Sequence, residues 1–237
     1  MNPPTGYAFR LGAAHLVALP EKALWWADAG LLVVSDMHLG KAERMARRSG
    51  SLVPPYETRE TIARLEDLIG RWAPAHVLCL GDSFDDTIAM RALPEEVTLS
   101  LTHLMAGRRW TWILGNHDPG PVDMGGTCTR DIAIDGLAFR HIADPAVSTA
   151  EVSGHYHPKA RIRGARRPAF ITDGTRLILP AFGTYTGGLD ADDTAISGLM
   201  GVHAIAILAG RTMAAVPLNA SAPPHPGPPT RWARGLG

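Results

Sequence analysis

Three apolar runs in this chain each stop at a polar group of the same chemical kind. Leu31-Leu32-Val33-Val34 gives way to Asp36, with His38 two residues on; His76-Val77-Leu78-Cys79-Leu80 runs into Gly81-Asp82. Trp110-Thr111-Trp112-Ile113-Leu114 runs into Gly115-Asn116-His117-Asp118. Short runs of aliphatic, β-branched and aromatic residues read as buried strands. A helical pattern lies between the first two, with Ile62, Leu65, Ile69 and Trp72 on one face, Pro54-Pro55 ahead of it and Pro74 closing it. Another, with Val97, Leu101, Leu104 and Met105, opens at Pro94-Glu95-Glu96 and closes at Gly107. Strand–helix–strand alternation implies parallel pairs with right-handed crossovers. The C-terminal ends of parallel strands share one sheet edge, where open α/β sheets bind ligands.

The flanking segments read differently. His15 to Leu19 and Ala23 to Trp26, separated by Pro20-Glu21-Lys22, suit antiparallel strands, and adjacent Trp25 and Trp26 must then face opposite sides. Lys41 to Pro55 reads as an irregular basic loop. Asp131 to His141 carries an Asp135-Gly136 turn between alternating apolar residues, a hairpin signature. Glu151 to Gly154, Phe170 to Thr172, Leu177 to Leu179, Val202 to Leu208 and Thr212 to Val216 read as further strands, antiparallel ones. The pattern predicts an α/β fold with two sheets face to face and helices outside, one domain over 1–216. The Pro/Gly-rich stretch 217–237 reads as a disordered tail.

Formal net charge is zero, so bulk electrostatics select no nucleic-acid or membrane partner. The two cysteines, Cys79 in a core strand and Cys128 in a Gly-rich loop, read as free thiols of a reducing compartment. Met1 to Gly12 lacks a signal-peptide pattern, and no run reaches the ~20 apolar residues of a membrane helix. A cytoplasmic protein without membrane association is expected.

The candidate functional residues are Asp36 and His38; Asp82 with Asp85 or Asp86; Asn116, His117 and Asp118; His141; and His155 with His157. Singly, Asp-x-His, Gly-Asp or His-x-His is commonplace, and a lone histidine on a hairpin, such as His141, is usually structural. Together, all at or just past strand ends, they form a constellation. Mixed oxygen and imidazole donors suit Mn, Fe or Zn rather than a thiolate-seeking ion. The donors are too many for one ion but match two ions bridged by a shared carboxylate. Two such ions about 3.5–4 Å apart clamp the attacking and leaving oxygens of an in-line displacement at phosphorus.

The series Asp36-x-His38, Gly81-Asp82-x-x-Asp85, Gly115-Asn116-His117-Asp118, His141 and Gly154-His155-x-His157 resembles the calcineurin-like metallophosphoesterases, over about Leu31 to His157. The resemblance implies a four-layer αββα sandwich of two mixed β-sheets flanked by helices, the metallophosphatase fold. It implies two divalent ions, manganese first, with iron, zinc, nickel or magnesium as alternatives. Asp36, His38 and His157 would hold one ion and Asn116, His141 and His155 the other, with Asp82 bridging. His117 would meet the substrate, with Asp118 orienting its ring. Asp85 and Asp86 would stand behind the ligands or in solvent.

Segments outside those motifs narrow the resemblance. Leu19-Pro20-Glu21-Lys22-Ala23-Leu24-Trp25-Trp26, His38-Leu39-Gly40-Lys41-Ala42 and Leu179-Pro180-Ala181-Phe182-Gly183-Thr184-Tyr185-Thr186-Gly187-Gly188 are similar to the PdeM family of bacterial ligase-associated DNA-damage-response endonucleases. That similarity implies a phosphodiester substrate, DNA, and action alongside a DNA ligase, a helicase and a nuclease. Two basic clusters fit such a substrate: Lys41, Arg44, Arg47 and Arg48, and Lys159, Arg161, Arg163, Arg166 and Arg167. Their alternative role is to solvate an outer strand face. Tyr156 and Tyr185 are candidate rim contacts. A small phosphomonoester or nucleotide substrate is the alternative within the same chemistry. A non-catalytic scaffold is the alternative outside it, and the presence of His117 and every expected ligand argues against that.

Overall fold

A computed structural model of the chain describes residues 6–50, 56–118, 120, 124–146, 149–162 and 164–218. The chain opens with four antiparallel strands, β1 (Tyr7–Leu11), β2 (Ala14–Ala18), β3 (Leu24–Trp26) and β4 (Leu31–Val34). Helices α1 (Lys41–Ser49) and α2 (Glu57–Trp72) lead to β5 (His76–Leu80). Then α3 (Thr87–Arg91) and α4 (Glu95–Met105) lead to β6 (Arg109–Ile113), and β7 (Thr127–Thr129) follows. Strands β4 to β7 pair in parallel, completing a seven-stranded sheet in sequence order.

The second sheet uses β8 (Asp131–Ile134), β9 (Leu137–Arg140), β10 (Glu151–Ser153), β11 (Lys159–Ile162), β12 (Ala165–Thr172) and β13 (Arg176–Ile178). After the one-turn helix α5 (Thr194–Ser197), β14 (Ile205–Leu208) and β15 (Ala214–Pro217) complete it. Its order is β15-β14-β12-β13-β10-β9-β8, with β11 against β12. The Asp135-Gly136 hairpin forms as the sequence predicts, Asp135 and Gly136 both having positive φ. The expectation of an antiparallel second half is corrected at one place: β9–β10 and β10–β13 are parallel.

Three apolar layers hold this together. Leu16, Leu24, Trp26, Leu31, Val33, Leu78 and Leu80 meet Phe139, Val152, Phe170, Leu177 and Ile207 between the sheets. Ile62, Leu65, Ile69, Val97, Leu101 and Leu104 seat α2 and α4 on the outer face of the first sheet. On the outer face of the second, Ile171, Ile178, Ala206 and Leu208 pack against Ile196 of α5. The result is the αββα sandwich, with a thin fourth layer. Trp26 and Trp25 do face opposite sides: Trp26 enters the inter-sheet core, and Trp25 lies 5.2 Å from the Trp72 ring.

Residues 41–49 are helical rather than an irregular loop. Only Ala42, Met45 and Ala46 are apolar there, so the apolar stripe is short and the segment is polar overall, and left-handed glycines bracket the helix, Gly40 (φ 81) and Gly50 (φ 66). Ala42 N–H donates to the buried Glu57 carboxylate (2.9 Å), which ties α1 to α2. Pro54-Pro55 and the stretch 219–237 lie outside the described residues, while Pro217, expected in the tail, ends β15. Among the described residues no helix is long and apolar enough to cross a membrane.

His76 is buried at the start of β5, with Nε2 2.9 Å from Thr111 Oγ1. Burial, helped by the Arg109 charge, lowers its pKa from 6.5 to about 4. Between those values the unfolded chain binds more protons, so stability rises with pH there and is lost as pH falls from 6.5 towards 4. Urea melts of the wild type and His76→Gln at pH 7 and pH 4.5 should show a smaller acid loss in the variant; equal losses would remove His76 as a cause.

Candidate metal centre

Parallel strands from both sheets end at one edge, and β4, β5 and β10 deliver their polar residues through short, left-handed turns. Asp36 (φ 51) and His38 (φ 47) follow β4, Asp82 (φ 45) follows β5, and His155 (φ 71) and His157 (φ 47) follow β10. Left-handed backbone is unfavourable for any residue but glycine, so five such residues at one edge mark a place where geometry is held against local preference. Main-chain bonds hold it: Asp36 N–H donates to Gly81 O (3.2 Å), His38 N–H to Asp82 O (2.9 Å) and Gly154 N–H to His141 O (2.9 Å).

The side chains then converge in three groups. One of them, His38, Asp85 and His117, shares His38 with the group of Asp36 and His157, and its Asp85 also pairs with Arg44 (2.9 Å). Asp36, His38 and His157 bring one donor atom each within 4.8 Å of the others, and Asp82, His141 and His155 do the same. In the first of these two, His157 Nε2 is 3.2 Å from Asp36 Oδ1 and 3.3 Å from His38 Nε2. In the second His141 Nε2 is 3.4 Å from Asp82 Oδ2, 3.3 Å from His155 Nδ1 and 3.0 Å from Asn116 Oδ1. Asp82 Oδ2 is also 4.0 Å from His38 Nε2, so this carboxylate stands between the two.

The far nitrogens explain why these faces carry lone pairs. His141 Nδ1 is 3.0 Å from Leu80 O, and His38 Nδ1 is 2.9 Å from Asp85 Oδ1. A proton held there leaves Nε2 as the donor to a cation. Asp36 Oδ1 is buried without a hydrogen bond, while its other oxygen accepts from Ser35 Oγ and from His155 N–H (3.0 Å). An orphaned carboxylate oxygen facing an imidazole nitrogen, and two Nε2 atoms facing each other, fit a divalent ion between them. The seven donors therefore suit two ions.

The electrostatics point the same way. Burial opposes ionisation of Asp82, yet the His141 hydrogen bond and charge and the His117 N–H (2.8 Å to Oδ1) hold its pKa down at about 2. Burial likewise opposes a charge on His141, but Asp82 and Asp36 raise its pKa to about 9. The carboxylates draw positive charge to this spot, and a divalent cation would satisfy the same field while displacing that proton.

Asp118 does not orient the His117 ring. Its Oδ1 accepts from Gly115 N–H (2.9 Å) and Asp82 N–H (3.1 Å), and its Oδ2 from Ser83 N–H (2.7 Å) and Phe84 N–H (3.2 Å). Both oxygens are thus spent on main chain, and the carboxylate is buried. The His117 ring is set instead by the Asp85 backbone carbonyl, 2.9 Å from Nδ1. Asp85 itself is buried between His38 and Arg44 (2.9 Å), and Asp86 caps α3 and pairs with Arg47 (2.6 Å).

The basic residues divide. Arg44 and Arg47 are engaged by Asp85 and Asp86, whereas Lys41 and Arg48 on α1 carry no ion pair among the described residues. Lys159 donates to Thr186 O (3.1 Å), Arg161 lies 3.6 Å from Asp190, and Arg166 pairs with Asp190 as well. Arg167 donates to Ala209 O and Thr212 O, and Arg163 lies outside the described residues. The second cluster is therefore largely spent within the fold.

The sequence profile of the calcineurin-like phosphoesterases matches residues 30–179, a span that includes all seven candidate ligands. Among solved structures, the chain is similar to the Pseudomonas putida nuclease MPE, with a TM-score of 0.73 and 25% identity over 89% of this chain and 100% of that one. It also matches Yfce, a phosphoesterase from E. coli, with a TM-score of 0.41 and 18% identity over 80% and 99% of the two chains. No curated protein matches.

Gly154 offers a test of the geometry. A Cβ there would fall 1.9 Å from Ser35 Oγ and 2.6 Å from Asp36 Oδ2. Gly154→Ala should keep the fold by circular dichroism but weaken Mn²⁺ binding in calorimetry by about 10-fold or more; unchanged binding would mean that Asp36 is not so constrained.

Proposed function

The chain belongs to the calcineurin-like phosphoesterase family, hydrolases built on a dinuclear metal centre, and we propose that it cleaves phosphodiesters, with DNA as the substrate. The observation that carries this reading is the placement of Asp82 between two donor groups at one edge of the sandwich. Asp36, His38 and His157 would hold one divalent ion and Asn116, His141 and His155 the other, with Asp82 shared; manganese is the first choice among ions accepting such donors. When bound, the ions supply Lewis acidity that activates water and neutralises phosphoryl charge.

The chain's own residues supply the rest. Asn116 contributes a neutral oxygen, so two carboxylates face two divalent ions and the centre stays net positive towards an anionic ester. Arg44 neutralises Asp85, which keeps that third carboxylate from repelling the substrate. His117, with Nδ1 held on a carbonyl, keeps Nε2 for the substrate. Protonated, it stabilises phosphoryl charge or gives the leaving oxygen its proton, a role worth ~10²–10⁴-fold.

A nucleic-acid substrate is supported by the match to a nuclease over that chain's whole length and by Lys41, which opens α1 three residues after His38. The segments similar to the PdeM endonucleases support a cytoplasmic repair role beside a ligase, a helicase and a nuclease. Asp82→Asn should lower turnover of bis-(p-nitrophenyl) phosphate by about 10³-fold, roughly 4 kcal/mol of barrier. Chelation should abolish turnover and Mn²⁺ restore it; full activity in the variant would end the mechanism. Cleavage of single-stranded and nicked DNA should exceed that of small phosphomonoesters and nucleotides and should fall with salt; the reverse preference would move the substrate to a small nucleotide.

A further inference from the structure

The segment after β13 crosses from the second sheet to the metal-bearing edge of the first. Leu179 N–H donates to Ser153 O (2.8 Å), then Phe182 N–H to Ser35 O (2.7 Å) and Gly183 N–H to Asp36 O (3.1 Å). Gly183 sits so close that a Cβ would be 2.2 Å from Met37 O, and at Gly188 (φ 146) one would be 2.0 Å from His157 O. The loop 184–187 is therefore pinned at one end to the turn carrying Asp36 and His38 and at the other to the turn carrying His157. Four basic side chains fasten carbonyls of the segment 182–188: Lys22 to Gly183 O (2.9 Å), Arg64 to Phe182 O (2.7 Å), Lys159 to Thr186 O (3.1 Å) and Arg166 to Gly188 O (2.8 Å). Arg64 also lies over the Phe182 ring, 4.7 Å from its centroid.

At the middle of this fastened loop stands Tyr185. Its φ is 58, a conformation that a bulky residue adopts only when its surroundings impose it. Its side chain gains nothing visible in return: the residue is 51% exposed and makes no hydrogen bond or ring contact among the described residues. Tyr156, the other aromatic near these turns, is already used, half-buried against the second sheet with its ring 5.1 Å from that of His155. Strain held at a functional edge, around an aromatic ring offered to solvent, calls for a flat, apolar partner.

Resting on the phosphodiesterase reading above, we propose that Tyr185 is a stacking platform for the nucleobase next to the scissile phosphate. The metal-binding edge takes the backbone, whose charge is the same in every sequence. Tyr185 takes the face of one base, which every nucleotide also has, so the contact favours nucleic acid over other phosphodiesters without reading sequence. The loop's attachment to the ligand-bearing turns keeps the distance from ring to metal site constant, and its rigidity lowers the entropic cost of the contact.

The test compares two single strands of equal length, one of ordinary deoxynucleotides and one of tetrahydrofuran abasic units with the same phosphates. The wild type with Mn²⁺ should prefer the base-bearing strand by about 10-fold or more in kcat/KM, the size expected from one stacked base. Tyr185→Ala should bring that preference close to one, chiefly through KM, and Tyr185→Phe should keep it. A preference that survives in Tyr185→Ala, or is missing from the wild type, overturns the assignment. Hydrolysis of the nitrophenyl ester by a wild type that cuts neither strand would instead remove the nucleic-acid substrate, and the platform with it.

Discussion

One carboxylate holds the β5 and β6 ends of the site in place. Asp118 collects main-chain N–H groups from Gly115 on one side and from Asp82, Ser83 and Phe84 on the other. Those N–H groups have no main-chain acceptor among the described residues, although the carbonyls of the 81–83 turn accept from residues 36, 38 and 39, and buried N–H groups without partners are costly, about 1–3 kcal/mol each. By satisfying four of them at once, Asp118 makes the left-handed turn at Asp82 tolerable and fixes it relative to Asn116 and His117. The place of the Asp82 carboxylate between the two donor groups is fixed by these bonds.

The rest of the edge repeats that solution with other groups. Asp36 uses one oxygen to accept from Ser35 and His155, leaving the other without a hydrogen bond. Leu80 O and Asp85 O each fix a histidine ring through Nδ1, and the Asp85 carboxylate stands 2.9 Å from the Nδ1 of a third, His38. In each case the site-facing atom is determined by what the opposite atom is bonded to, and metal sites depend on that outer layer as strongly as on their ligands.

Chemistry made the candidate ligands legible in sequence. A borderline divalent cation takes carboxylate and imidazole together, and the strands that deliver them are short apolar runs that admit few other readings; Asp36, His38, Asp82, Asn116, His141, His155 and His157 all come together at one edge. What sequence hides is whatever depends on a partner distant in the chain. Asp118 beside His117 invites a local pairing, and only the fold shows its oxygens spent on residues 82–84. The charged stretch 41–49 conceals a helix because it buries little apolar surface and is tethered instead through Glu57, Asp85 and Asp86. The same tethering turns Arg44 and Arg47 from candidate phosphate contacts into counter-charges.

The segment Leu179 to Gly188 lies outside every metal motif and yet touches the site at both ends. Its glycines have a steric reason: at Gly183 and Gly188 a side chain would collide with the carbonyls of Met37 and His157. Only a chain without Cβ atoms at those two points can run beside turns that are themselves held left-handed. The strap thus joins two sheets whose candidate donors converge, since Asp36 and His38 come from one sheet and His157 from the other. An insertion or a bulkier residue there would separate the two halves of the first donor group without altering a single ligand, so the spacing of that group is as much a property of the strap as of the motifs.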